Sequence, residues 1–140
     1  MKRPEHIAFI FAHVALFIVF VWFGTLKLLG SSPANPLVIS LLSETMPFMS
    51  FNVFNIILGS YEVLIGLLFV IPRAEKAAIA LLIPHMIVTI LPLLLLPEIT
   101  WQGFLTPTLE GQYIIKNVVI IALAAMVFVD LKKKRLKRTG

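Results

Sequence analysis

IAFIFAHVALFIVFVWFGTLKLL, residues 7–29, decides the fold, because its 23 consecutive positions carry a single charge, Lys27. A helix that crosses a bilayer needs about 20 mostly apolar residues, and this stretch supplies them alone. It is too long for the core of a signal peptide, and no small-residue cleavage site follows it, so a retained span is expected. The rest of the chain agrees. Its 140 residues are 59% hydrophobic and 14% charged, with a mean hydropathy of +0.99. A soluble domain is nearer half apolar and one quarter charged. A chain this short has too little interior to hide that surface. Lipid is the solvent that accommodates it, and one domain over residues 1–140 is expected.

Three more stretches have the same character: about 52–71, closed by Pro72 and Arg73; about 77–96, containing Pro84 and Pro92; and about 112–131. Backbone polar groups in hydrocarbon must be satisfied within the segment, which makes helices the expected form. The fold class that follows is all-α, an integral membrane bundle of four antiparallel helices. The two prolines should kink the third span or open one turn of it.

The charges set the expected orientation. Lys2, Arg3, Arg73, Lys76 and six basic residues of the tail at 132–140 fall on one side of a four-span chain. The loops on the other side, 30–51 and 97–111, hold Glu44, Glu98 and Glu110 and no lysine or arginine. The positive-inside rule puts both termini in the cytoplasm, whereas three spans would break this segregation. The net charge of +5 therefore reads as a cytoplasmic anchor on anionic headgroups, and nucleic acid is not an expected partner. Between Pro36 and Pro47, apolar residues alternate with Ser40, Ser43 and Glu44. This predicts a short amphipathic helix, either on the outer surface or folded over the bundle mouth. Trp101 in the second outer loop suits the interface belt.

With no cysteine, disulfides, thiolate metal sites and dithiol relays are excluded. Nucleophile elbow, phosphate loop, zinc-protease helix and dinucleotide fingerprint are all missing from the sequence. Whether the chain is an enzyme is left open. Polar side chains inside spans are functional candidates, and these are His13, Lys27, Glu62, His85, Lys116 and Asn117. Glu62 lies about ten residues from the outer end of its span, roughly 15 Å deep. It is expected to be neutralised or paired, with Lys116 the preferred partner over Lys27 because Asn117 adds a polar group. The alternative is that both lysines reach outward to water. Gly59 and Gly66, on one helical face with Glu62, suit close helix packing. Tyr61 and Tyr113 fit either interface anchors or a hydroxyl lining.

His13 and His85 sit about six and eight residues from the inner ends of their spans, at matching depth. A haem b would need two such histidines on facing helices. The stronger reading is a histidine hydrogen-bonded to a carbonyl freed by a proline such as Pro84. A metal site of His13, His85 and Glu62 is weaker still, and none is assigned.

Three short motifs together resemble the DoxX-like family of small four-span membrane proteins. They are Trp22 to Leu28 (WFGTLKL), Gly59 to Leu68 (GSYEVLIGLL), and Gly111 to Asn117 (GQYIIKN), the last with asparagine where aspartate is common. The resemblance implies four antiparallel helices and an association with respiratory or oxidative-stress redox chemistry, or with assembly of other membrane proteins. The leading expectation is a cytoplasmic-membrane protein binding a lipid-soluble ligand such as quinone. Lys27, Glu62 and Lys116, with Asn117 nearby, would hold its head, and Trp22, Phe23 and Tyr61 would form the walls. Electrons would come from a redox partner, and pairing with a second copy is left open. The rival is a non-catalytic partner or assembly protein. A transporter is disfavoured, since no inverted repeat is evident.

Overall fold

A computed structural model describes the backbone of residues 3–139 and the side chains of residues 4–133. The side chains of Lys2, Arg3 and much of the basic tail lie outside the described residues. The protein is a four-helix membrane bundle. The first span is α1 (Arg3–Leu28), followed by α2 (Asn35–Thr45), which does not span. The second span is α3 (Phe51–Val70), and the third is α4 (Glu75–Ile90) continued by α5 (Pro92–Leu95). A one-turn α6 (Pro97–Thr100) leads into a hairpin of β1 (Trp101–Gly103) and β2 (Thr106–Pro107). The fourth span is α7 (Leu109–Lys116) with α8 (Val118–Thr139). The long apolar segments, Pro4–Leu28, Phe51–Val70, Glu75–Leu95 and Leu109–Lys133, differ from the sequence-based boundaries by three residues or fewer.

Between 17% and 33% of each span is buried, so most of the apolar surface faces outward, as lipid requires. The core is narrow. Leu16 and Phe20 of α1 meet Ile65 and Phe69 of α3, Leu82 and Met86 of α4, and Val127 of α8. The α1–α3 seam is the most extensive helix contact. Its closeness comes from glycine. A Cβ added at Gly24 would lie 2.7 Å from Gly59 O, and one added at Gly59 would lie 2.8 Å from Gly24 O. Small residues allow such backbone approach where no hydrophobic effect draws helices together.

The helix ends follow local chemistry. α1 stops at Gly30, whose φ of 71° is left-handed and suits glycine. Gly30 N donates to Lys27 O and Ser31 N to Leu26 O, each at 3.0 Å, which together form a Schellman ending. In the third span, Pro84 is accommodated inside α4 while Pro92 divides α4 from α5. Proline at 92 cannot donate to Val88 O, and Leu91 N bonds that carbonyl instead at 3.3 Å. α2 buries Leu41 and Leu42 and packs against α3 and α5, so it folds over the end of the bundle opposite the termini. That end, which also carries the hairpin, is called the hairpin end below.

Candidate functional site

The buried face of α3 runs Asn55, Gly59, Glu62, Ile65, Gly66 and Phe69, the spacing of three and four that lines one helical stripe. Glu62 is therefore fixed toward α1 by the same periodicity that places Gly59 at the seam. Lys27 lies three residues beyond Gly24, as Glu62 lies three beyond Gly59. Helical side chains lean toward their own N-terminus. On antiparallel helices the two residues accordingly lean toward each other, back over the glycine contact. Lys27 Nζ meets Glu62 Oε2 at 2.8 Å, with both residues under one tenth exposed.

The second carboxylate oxygen faces α4. His85 Nε2 is 3.5 Å from Glu62 Oε1. The imidazole is held between Phe20, edge-on at 5.5 Å, and Tyr61, stacked at 6.1 Å and 28°. Tyr61 is itself tied to α4 by its hydroxyl, which donates to Leu81 O at 2.7 Å. Glu62 thus bridges a cation on α1 and an imidazole on α4. Among the described residues Glu62 is the one hydrogen-bond acceptor for the three N–H donors of Lys27. The cluster offers ammonium donors, carboxylate lone pairs and a ring that can give or take a proton.

This corrects the expected partner of Glu62. Lys116 is exposed, and its ammonium sits 5.5 Å from the centre of the Tyr113 ring; it does not join Glu62. Asn117 occupies the turn between α7 and α8 and accepts at its carbonyl from Ile121 N. Trp22 and Phe23, expected as walls, are 63% and 52% exposed on the outer face of α1. Helical periodicity turns Trp22 away from Lys27, while Phe23, one turn before Lys27, is exposed beside it. A groove of about 760 Å³ between α1 and α8 is lined by Ala8, Ala12, Ala122 and Ala125 among others. A second, of about 360 Å³, runs over Phe17, Val21 and Trp22. Glu62 lines neither.

The equal depth expected of His13 and His85 is also corrected. His13 pairs with Phe69 of α3, whereas His85 lies beside Glu62, seven residues away on the same helix and about 10 Å along its axis. α1 is longer than α3 (26 residues against 20), and its extra turns extend past the α3–α4 turn. Counting from Ile7 therefore misplaces His13. The ring donates from Nδ1 to Phe9 O at 2.8 Å, and its Nε2 has no hydrogen-bond partner among the described residues. The two rings are not placed as a haem b pair. His85 and Glu62, by contrast, lie at one depth. Nine residues separate Glu62 from Ile71, and eight separate His85 from Ala77, so both are mid-membrane. Among the described residues no three His, Asp or Glu side chains gather as a metal site.

Asn55 was not among the candidates. It is 4% exposed and donates from Nδ2 to Lys27 O at 2.9 Å, a second hydrogen bond to the carbonyl in the last turn of α1 that also accepts from Gly30 N. The signal was available, since Asn55 precedes Glu62 by seven positions on the same stripe. No protein-family model, curated protein or solved structure matches this chain.

Proposed function

We propose that this chain is a DoxX-like protein of the cytoplasmic membrane, both termini in the cytoplasm, serving a redox or oxidative-stress role. Its Lys27–Glu62–His85 cluster would hold the polar head of a lipid-soluble ligand, with quinone the fitting class. The observation that carries this reading is the set of spare Lys27 donors beside a carboxylate and an imidazole, all buried in apolar helices. Polar groups in lipid are costly and are retained where they act. A quinone carbonyl would accept from Lys27 or His85, and a quinol hydroxyl would donate to Glu62. The two electrons would come from a partner protein, because a cysteine-free chain supplies no dithiol. Two of the motifs behind the family resemblance contribute Lys27 and Glu62, and their contact supports that resemblance. Basic residues Arg73, Lys76, Lys132 and Lys133 at the termini end, opposite Glu44, Glu98 and Glu110, support the orientation.

The test is an oxidised-minus-reduced absorption spectrum of the protein in mild detergent, with Glu62→Gln alongside. A quinone-type ultraviolet change lost in the variant is the expected result. The same change in both proteins would remove Glu62 from the site. A second reading, a non-catalytic assembly or partner protein, is favoured by one observation: Lys27 and Glu62 already neutralise each other at the α1–α3 seam. A flat spectrum, together with co-purification of one defined membrane protein, would select it.

A further inference from the structure

Residues 99–109, between Glu98 and Glu110, contain no charge, and their middle is the β1–β2 hairpin. Its base is welded to the bundle. Thr100 is fully buried and accepts at its carbonyl from Thr108 N at 2.9 Å, while Thr108 Oγ1 donates to Ile99 O at 2.7 Å. Trp101 Nε1 donates to Leu93 O at 3.0 Å, fixing the hairpin at the level of the last turn of the third span. The tip is the opposite in character. Phe104 is 94% and Leu105 76% exposed. Leu105 also adopts φ 51°, a left-handed conformation that a branched side chain takes at a cost and glycine would take freely.

We infer that the Phe104–Leu105 tip is seated in the interfacial region of the surrounding bilayer, an anchor at the hairpin end. The reach of the hairpin selects lipid as the partner. Three residues separate Trp101 from Phe104, about 10 Å of strand. A leaflet's polar region is about 5–8 Å thick. The tip is thus confined to the neighbourhood of the headgroups. Leu94, 73% exposed on α5, and Leu109, 61% exposed on α7, continue the outward apolar surface of the spans up to the hairpin base. This inference does not depend on the ligand proposed above.

The cysteine-free chain makes single-site labelling clean. F104C and Q102C, each spin-labelled, are reconstituted into vesicles of phosphatidylcholine and phosphatidylglycerol and compared for collision with oxygen and with a water-soluble nickel chelate. The expected result is that position 104 favours oxygen several-fold over the chelate while position 102 does the reverse. Equal chelate access at both positions would place the tip in water and overturn the inference. Shielding of position 104 from both relaxants would also overturn it, because a second copy or another protein would then cover the tip. Phe104 is exposed to its last few per cent, so its replacement leaves the fold intact.

Discussion

Lys27 and Glu62 meet directly above the point where Gly24 and Gly59 bring two backbones into contact. The ion pair and the close crossing are one construction. A buried pair of this kind is costly to desolvate, and it is far more costly to leave half made.

Lys27→Met should accordingly destabilise the protein by about 3–5 kcal/mol, because Glu62 loses its cation inside the bundle. Adding Glu62→Leu should recover most of that loss, since contacting residues are not additive. Detergent unfolding curves of the two singles and the double variant check this; additive losses would contradict it.

Gly59→Val should be more damaging to the architecture than its size suggests. The new side chain meets the backbone carbonyl of Gly24 and the Cβ of Lys27, neither of which can swing away. Overpacking of this sort costs about 1–3 kcal/mol or more. A lowered melting temperature with a lengthened distance between labels on α1 and α3 is the expected outcome.

Lys116→Ala should change stability by less than about 0.5 kcal/mol, the usual range for an exposed position, and should leave any bound ligand in place. A loss of ligand in this variant, measured by the same difference spectrum, would return Lys116 to the site.

Asn55→Leu removes one of the two donors to Lys27 O and leaves that carbonyl with Gly30 N alone. The expected loss is about 0.5–1.5 kcal/mol. Hydrogen exchange should rise first in the last turn of α1, around Leu26 to Gly30, if Asn55 acts as a cap there.

The spans were legible because lipid imposes a length and a composition that no other solvent demands. Glu62 stood out for the same reason. The partner of Glu62 was not legible, because charge alone cannot say how four helices are rotated. Lys116 and Lys27 both lie near the hairpin end in sequence, and only the glycine contact at residues 24 and 59 turns Lys27 inward. Gly59 was noticed, but Gly24, standing in a run of bulky residues, was not connected to it. His13 was misjudged for a different reason: its depth was counted from the end of a helix longer than its neighbours. Asn55 escaped because it sits near the start of its helix, where a polar residue reads as boundary.

The placement of Lys27 and Glu62 on successive spans has a consequence for biogenesis. Glu62, near the centre of its span, would pay about 2.5–3.5 kcal/mol to enter lipid unmatched, whereas Lys27 sits in the last turn of α1 at the membrane edge. The second span should therefore partition against an already inserted first span, whose Lys27 offsets the penalty of Glu62. In a glycosylation-mapping series on chains truncated after Ile71, Lys27→Met should lower integration of the second span. The first folding decision of this protein is then taken while its second half is still on the ribosome.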